Sequence, residues 1–372
     1  MLFTYDFKDQ VRDLSAGIDL IINDAPTLLG IVGMNGETLM QTKYEWMSDN
    51  LNSNRANVKD AALVGDTNIT VNDGDGEKFR VNAIVVAGEE YMKVTAVNGD
   101  VITVVRGFDG TTAAALSAGA ELRIVARPQL QGAGVGQDEG HDRYVDDNYT
   151  QIYERYASVS NTQMAVRTHN VTNELNYQVE LRLKELSREM NDTLIYGRKI
   201  AGNKGTPSMS GGLLYFAEKK GAAKKNLSGA EISAKAINDL MEEVYLRGGS
   251  VNTILTNTAG ARQISKLAGN TIRTERQDTA TGHRISTFVS DITGGSDAVI
   301  IVDPNFPKNK VALFDRNILS MHALNGRAVY DVDASVPGAD FVARQIRGEY
   351  GVKVKNAKEK VAILENISTT VA

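Results

Sequence analysis

The longest regular pattern of hydrophobic positions lies in the stretch from Thr172 to Arg198. Its apolar residues recur at steps of four, four, three, four and four, which is the period of an α-helix and not of a strand. They are Leu175, Val179, Leu183, Leu186, Met190 and Leu194. Glu180 precedes Lys184 by four positions in the favourable order for a helical ion pair. The pattern predicts one long amphipathic helix that ends before Gly197 and packs one continuous apolar face against something wide.

The segment from Ala61 to Ala126 has a different pattern, in which short apolar runs alternate with turn signals. Asn98-Gly99 is a strong hairpin signal, and Asp73-Gly-Asp-Gly76 marks a second turn. The predicted strands are Asn68–Val71, Ile84–Ala87, Glu90–Thr95 and Val101–Val105. The segment is therefore predicted to be a small all-β module that can bury its hydrophobic face within itself.

Helices and apolar strands alternate after the long helix. Residues 201–225 are rich in Gly and Lys and are predicted to form a loop region around Leu213 to Phe216. Ser228-Gly-Ala-Glu231 has the spacing of a capping box, which predicts a helix that stops at Gly248. Further elements are predicted at Val251–Thr256 (strand), Thr258–Ala268 (helix) and Ala298–Val302 (strand). This alternation predicts an α/β layer structure.

The last quarter of the chain is again rich in β-like runs. Predicted strands are Val311–Phe314, Ile318–Ala323, Phe341–Ile346, Tyr350–Val354 and Val361–Leu364. Strands this late in the chain can pair back against the long helix and close a domain from both ends of the chain. Before them, the polar stretch from Asn270 to Gly295 is predicted to be an exposed loop or hairpin.

Length, composition and charge narrow the class of protein. A chain of 372 residues exceeds one ordinary core, so we expect two or more domains. The hydrophobic fraction of 42% and the charged fraction of 23% are those of a soluble globular protein. A net charge of -5 argues against a general nucleic-acid binder. There is no Cys, no signal peptide and no apolar run long enough for a membrane span, so we expect synthesis in the cytosol.

Candidate chemistry is sparse. Four His residues are scattered without metal-binding spacing: His141, His169, His283 and His322. Asp73-Gly-Asp-Gly-Glu77 resembles the start of a calcium loop, but Lys78 stands where that loop needs Gly, so a hairpin turn is the better interpretation. The glycines of Gln131–Gly140 are followed by acidic residues and not by a helix, which favours a hinge over a dinucleotide loop. We expect no catalytic, cofactor or metal site.

Several segments together resemble one known family. They are Asp13-Leu-Ser, Ala25-Pro-Thr, Glu45-Trp46 with Asp49, Tyr149-Thr-Gln-Ile-Tyr-Glu-Arg, Val159-Ser-Asn-Thr-Gln, Ser210-Gly-Gly-Leu-Leu and Asn257-Thr-Ala-Gly-Ala-Arg. In this order, around a long charged helix, they resemble the major capsid proteins of tailed bacteriophages with the Hong Kong 97-like capsid fold. Arg106-Gly-Phe-Asp-Gly-Thr-Thr-Ala, within the β-like segment, resembles a module that recurs as an insertion in phage virion proteins.

The resemblance implies an α+β fold with an inserted β module and a division of the chain. The expected parts are an N-terminal arm with the start of an extended loop (1–60), the module (61–126), a return linker (127–148), a peripheral domain with its spine helix (149–210), an axial domain (211–335) and closing C-terminal strands (336–372). The function it implies is assembly into hexamers and pentamers of an icosahedral head that encloses viral DNA. The alternatives are an encapsulin-type nanocompartment shell and, as a rival from another class, an oligomeric cytosolic enzyme.

The resemblance also suggests which residues contact neighbouring copies. They are Val11, Leu14, Ile18 and Ile21 in the arm, Trp46, and Arg273, Arg276 and Arg284 in the polar stretch. For Trp46, burial in the core is the simpler alternative. Expected partners are other copies of the chain, packaged DNA bound without sequence specificity, and portal, scaffold or decoration proteins. Since no long charged coiled segment precedes the arm, any scaffold is expected to be a separate protein.

Overall fold

The structure is a computed structural model that describes residues 27–34, 36–48, 53–132, 134, 143–166, 173–267, 272–276, 284–291 and 297–369, with the backbone alone for 272–276 and 284–286. The chain divides into two compact units. One is Met47–Tyr144, which we call the module. The other, the larger unit, combines Met1–Trp46 with Val145–Ala372.

The module contains one antiparallel sheet with strand order β2-β7-β4-β5-β6-β3. Its strands are β2 (Arg55–Asn57), β3 (Asn68–Thr70), β4 (Ile84–Ala87), β5 (Glu90–Asn98), β6 (Val101–Val105) and β7 (Glu121–Ala126). The two outer strands also meet, because Val58 pairs with Val71 and the N–H of Lys59 donates to the carbonyl of Thr70 at 2.8 Å. The sheet is therefore a closed barrel without a free edge.

Alternate side chains of these strands fill the barrel. Ile69, Val85, Met92, Val94, Ile102 and Leu122 are all fully buried there. The predicted hairpin at Asn98-Gly99 joins β5 to β6, and Gly99 takes a positive φ of 56°. The sheet starts before the predicted boundary at Ala61, since β2 is one of its strands. Sequence patterns missed β2 because three residues are too few to show alternation.

The described residues form three further sheets, which lie mainly in the larger unit. β1 (Lys43–Ser48) pairs with β8 (Tyr144–Tyr149). In the second sheet, the 14-residue β18 (Phe341–Val354) pairs with β9 (Gln151–Ser160), β16 (Leu319–Ala323) and β17 (Tyr330–Asp333). The third has the order β10-β19-β15-β11-β14-β13-β12, with β10 (Ala223–Asn226), β11 (Thr253–Thr256), β12 (Ile272–Arg276), β13 (Arg284–Phe288), β14 (Ala298–Val302), β15 (Lys310–Phe314) and β19 (Val361–Glu365).

Seven helices complete the described residues: α1 (Thr27–Val32), α2 (Asn161–Ala165), α3 (Glu174–Tyr196), α4 (Leu213–Lys220), α5 (Ala234–Leu246), α6 (Thr258–Ser265) and α7 (Ala357–Lys360). Short 3-10 turns lie at Gly76–Lys78, Phe108–Gly110 and Arg316–Ile318. α5 packs on the seven-stranded sheet through Ile237, Leu240 and Val244, all fully buried. α3 packs on β9 and β18. The predicted return of the late strands to the long helix is thereby confirmed.

α3 is the long helix predicted from the hydrophobic spacing. Asn173 caps its start by accepting from the N–H of Asn176, and the helix ends at Tyr196 before Gly197. Leu186, Met190 and Leu194 are buried, but Leu183 is 38% exposed. The prediction of a continuous buried face was wrong at Leu183. Fewer side chains are buried in the first half of the helix than in the second.

Three further local predictions differ from the structure. Residues 213–220 form α4 and not a loop. α5 starts five residues later than the capping box suggested, since Ser233 and not Ser228 accepts the capping bond from Ala236. The strands predicted at 341–346 and 350–354 are one strand, β18, that runs through Gly348 and Gly351. In β18, Gly348 and Gly351 allow close packing, but in the sequence they resemble loop signals.

Part of the segment that was predicted to be an N-terminal arm and the start of an extended loop (1–60) contributes buried residues to the core of the larger unit. Leu28 and Leu29 are buried, and the N–H of Leu29 donates to the side chain of Asn191 on α3 at 3.0 Å. His322 on β16 contacts the carbonyl of Glu37 through Nδ1 at 2.7 Å. This segment is therefore fixed at two points to the rest of the unit.

Candidate assembly surfaces

One face of the sheet around β18 is packed on α3, which makes that sheet a rigid support. Tyr153 and Ala157 of β9 are buried on this side. Arg155, also on this side, forms an ion pair of 2.6 Å with Glu189 of α3. The alternation of β9 therefore sends its remaining side chains to the opposite face.

The opposite face, which we call the outer sheet face, carries exposed apolar and aromatic groups in register. Tyr156 of β9, Gln345 of β18 and Val332 of β17 lie directly opposite one another across three strands. Tyr156 is 47% exposed and Val332 is 41% exposed. Ile152, two residues along β9, is 53% exposed. Exposed apolar groups on a rigid surface are typical of a protein interface.

Charged groups lie beside these apolar groups on the outer sheet face. Arg347 Nε donates to Glu154 Oε2 at 2.9 Å, and both side chains remain partly exposed. Gln345 also donates to Glu154. Tyrosine and arginine beside aliphatic side chains are the residue types enriched at interfaces. Sequence analysis missed this surface, although the alternation of Ile152, Glu154 and Tyr156 with buried positions was its signal.

A buried side-chain amide holds the sheet to the end of α3. Asn148 Nδ2 lies 3.1 Å from Ser210 Oγ and 2.7 Å from the carbonyl oxygen of Val352, while its Oδ1 accepts from the N–H of Gly211 at 2.9 Å. A Cβ atom on Gly212 would lie 2.4 Å from the carbonyl oxygen of Thr193 on α3. The Ser210-Gly-Gly segment thus needs its glycines because it packs directly on the helix backbone.

The predicted interface residues fall into three groups in the structure. Trp46 is 7% exposed and packs on Phe216 with ring centroids 5.6 Å apart. Trp46 therefore lies in the core, and its burial removes it from the candidate interface residues. Val11, Leu14, Ile18 and Ile21 lie outside the described residues.

The three arginines lie on a hairpin at the edge of the seven-stranded sheet. Arg276 of β12 pairs directly with Arg284 of β13, and Arg273 pairs with Thr287. The hairpin confirms one of the two structures predicted for this polar stretch. The register therefore places Arg276 and Arg284 at directly opposed positions of this hairpin.

The described residues contain no group of three or more His, Asp or Glu side chains placed to hold a metal ion. Among the helices of this same part of the chain, none is long and apolar enough to cross a membrane. Of the four histidines, His322 is the one that lies within the described residues. Burial lowers the pKa of His322. The hydrogen bond to the Glu37 carbonyl raises this pKa and the charge of nearby Lys353 lowers it, so the pKa lies below its usual value.

Solved capsid structures have the same fold at low sequence identity. The capsid asymmetric unit of cyanophage A-1(L) matches with a TM-score of 0.53 and 12% identity over 99% of this chain and 100% of that chain. The structure from Mycobacterium phage Adephagia matches with a TM-score of 0.51 and 11% identity over 100% of this chain and 99% of that chain. The structure from Mycobacterium phage Cain matches with a TM-score of 0.51 and 11% identity over 99% of this chain and 97% of that chain. The likeness shows the Hong Kong 97-like capsid fold.

No curated protein matches the chain. The SU10 major capsid protein family, however, matches residues 2–368, which is nearly the entire sequence. This match favours the capsid interpretation over the encapsulin and enzyme alternatives. The chain belongs to the SU10 major capsid protein family and is a capsid shell subunit.

Proposed function

We propose that the chain assembles into hexamers and pentamers of an icosahedral phage head and that the outer sheet face is one of the contacts between copies. The observation that carries the proposal is the alignment of Tyr156, Gln345 and Val332 on a sheet whose other face is packed on α3. A surface held from behind loses little conformational entropy when it binds. Its exposed aromatic and aliphatic side chains gain from removal of water.

The arm and the arginine hairpin supply further contacts in this proposal. The apolar residues Val11, Leu14, Ile18 and Ile21 recur with helical spacing and are assigned to a neighbouring subunit. Arg273, Arg276 and Arg284, on the β12–β13 hairpin, are assigned to contacts between axial domains of neighbouring copies. The proposal keeps the division into a peripheral domain (149–210) and an axial domain (211–335).

Packaged DNA is the proposed content of the shell, bound without sequence specificity. The larger unit contains as many Lys and Arg as Asp and Glu residues, so the module carries the whole net charge of -5. A neutral larger unit can line a DNA container without holding the DNA tightly, while an acidic module is repelled by phosphate. Portal, scaffold and decoration proteins are further proposed partners, and the protein acts as a structural and not a catalytic component.

Matched tyrosine substitutions test the proposal. Tyr156→Glu places a charge on the outer sheet face, whereas Tyr245→Glu changes a tyrosine that is 58% exposed on α5. Purified wild type and Tyr245→Glu should form rings or shells by size-exclusion chromatography and negative-stain microscopy. Tyr156→Glu should stay small with an unchanged circular dichroism spectrum. Normal assembly of Tyr156→Glu would remove the outer sheet face from the proposal, and a wild type that stays monomeric across concentration and salt would remove shell assembly itself.

A further inference from the structure

The two ends of the barrel differ. The strands alternate in direction around it, so β2 enters and β7 leaves at one end, together with the turns at 71–83 and 99–100. Main-chain N–H groups of Gly74 and Gly76 confirm this grouping, because both donate to Asp100 Oδ1. The three remaining loops, 60–67, 88–89 and 106–120, lie at the other end. We call that end the tip.

A buried ion pair connects all three loops of the tip. Glu90 accepts from Arg106 Nε and Nη2, both at 2.8 Å, and the two side chains are 0% and 7% exposed. Arg106 Nη1 also donates to the carbonyls of Leu63 at 3.0 Å and Asp66 at 3.1 Å. Glu90 accepts in addition from the N–H groups of Gly107 and Ala114. We call this pair the clasp.

The clasp is a costly way to stabilise a small barrel, because two charges must leave water. It does, however, fix loops that would otherwise move independently. A fixed set of loops at the end of a rigid barrel is a common arrangement for recognition. The structure of the tip therefore indicates a surface that is shaped in advance for a partner.

The tip presents apolar and acidic groups. Leu63 is 72% exposed and Val64 is 51% exposed, although both are aliphatic. Asp60, Glu89 and Asp109 lie in the same three loops, are exposed and form no ion pair with the described residues. The chemistry of the tip thus matches a partner surface that is apolar and basic.

The side of the same barrel has that complementary chemistry. Arg55, Arg123, Val86 and Tyr91 lie opposite one another across β2, β7, β4 and β5. A second row contains Ile84, Lys93 and Val105. We call these two rows the wall. Tyr91 is 41% exposed and Val105 is 49% exposed.

Cations of the wall are available to a partner. Arg55 contacts Glu121 at 3.4 Å, whereas Arg123 and Lys93 form no hydrogen bond or ion pair with the residues that the structure describes. The wall is therefore basic and apolar within a module that is acidic as a whole. Tip and wall are two sets of residues on one barrel, and they adjoin where the N–H of Tyr91 on the wall donates to Thr111 Oγ1 of the tip at 3.1 Å.

We propose that the tip of one subunit's module binds the wall of the module on a neighbouring copy of the chain. The contact uses two different surfaces, so each module can bind one neighbour through its tip and another through its wall. Such contacts close into rings or continue as chains. This inference goes beyond the proposed function and uses only its statement that assembly brings copies together.

Cysteine cross-linking tests the contact, since the natural chain has no Cys. Full-length Val64→Cys (tip) and Tyr91→Cys (wall) are purified separately, mixed, assembled and oxidised. The proposal expects disulfide-linked dimers in the mixture and few in either variant alone, with the linked peptides identified by mass spectrometry. Asn98→Cys, at the opposite end of the barrel from the tip, replaces Tyr91→Cys in the matched control and should give no dimers with Val64→Cys.

Charge reversal gives a second, independent measurement. In the cross-linking background, Glu89→Lys with Asp109→Lys on the tip should reduce the initial rate of dimer formation at least about tenfold, because like charges then face each other. Arg123→Glu with Lys93→Glu on the wall should do the same. Combining the reversed tip with the reversed wall should restore the rate.

The outcomes separate the two proposals. Particles that form without any link between tip and wall would overturn this inference and leave shell assembly intact. Links only between two tips would also overturn it, because that contact would be symmetric. Unchanged rates after charge reversal would contradict the electrostatic match, even if a link formed.

Discussion

The side-chain amide of Asn148 donates a hydrogen bond of 2.7 Å to the main-chain carbonyl of Val352, 204 residues later in the chain and inside the core. The same amide contacts Ser210 and Gly211, so one fully buried side chain connects β8, the loop after α3 and β18. Asn148 thus connects three segments of the larger unit that are far apart in the sequence. Its removal should affect all three segments at once.

Asn148→Ala should lower the free energy of unfolding of the larger unit by about 2–3 kcal/mol, because buried partners lose their hydrogen bonds. Chemical denaturation followed by the helical circular dichroism signal measures the change. Asn176→Ala, at an exposed position of α3, is the matched control and should stay within about 0.5 kcal/mol of wild type. Equal effects of the two substitutions would show that Asn148 is not a structural hub.

Two leucines of α3 provide a test of how the helix packs. Leu186 is 1% exposed and Leu183 is 38% exposed, although both belong to the same apolar pattern. Leu186→Ala should cost about 2–5 kcal/mol through lost burial and a cavity. Leu183→Ala should cost less than about 1 kcal/mol. A large effect at Leu183 on assembly alone, measured by particle yield, would identify that position as a contact between copies.

The clasp predicts a pH dependence of module stability. Burial raises the pKa of Glu90, but hydrogen bonds from Arg106, Ala114 and Gly107 and the charge of Arg106 outweigh burial, so the pKa is lowered overall. The folded state therefore favours the carboxylate. This contribution to stability is present above the unfolded pKa of about 4.3 and is lost as the pH falls through the lower folded value.

Glu90→Gln should remove this dependence. At neutral pH it should destabilise the module by about 3–5 kcal/mol, because Arg106 is left buried without its counter-charge. Calorimetric melting between pH 3 and pH 7 should show the difference from wild type shrinking as the pH falls. Glu77→Gln, at an exposed position of the module, is the control and should melt like wild type throughout. A constant difference across this pH range would contradict the assigned role of the Glu90 carboxylate.

The larger unit should fold without the module. Replacing residues 53–128 with a short Gly/Ser linker should leave its helical circular dichroism signal intact, because the module has its own core and loop closure costs little. A deletion that starts at Ala61 is predicted to be worse, since it leaves β2 without its partners β7 and β3. Loss of the helical signal in the longer deletion would show that the two units depend on each other for folding.

Sequence patterns located α3 because its buried positions follow the helical period without interruption. β18 appeared as two strands because Gly348 and Gly351 interrupt its apolar pattern. The structure explains Gly351 by a distant residue, since a Cβ atom there would lie 2.4 Å from the ring of Tyr44. A local pattern contains no information on such a neighbour.

The candidate surfaces were harder to predict than the fold. Arg106-Gly is part of a segment that resembles a recurring module. The role of Arg106 depends on Glu90, which comes next to it only in the folded structure. Gly107 has a positive φ of 62° and donates its N–H to that carboxylate. The outer sheet face depends on the register of three strands from distant parts of the chain. Spacing along one segment cannot show register between segments.

The pairing of β2 with β7 places the first and last strands of the barrel side by side, with Arg55 opposite Arg123. Their Cα atoms are therefore only about 5 Å apart, as in any antiparallel pair. For the rest of the chain, the entire barrel therefore takes the place of a turn that connects two adjacent strands. A single recombination event could add or remove such a unit without altering the geometry of the recipient. Shell subunits could thus diversify by exchanging whole barrels while their common core remains unchanged.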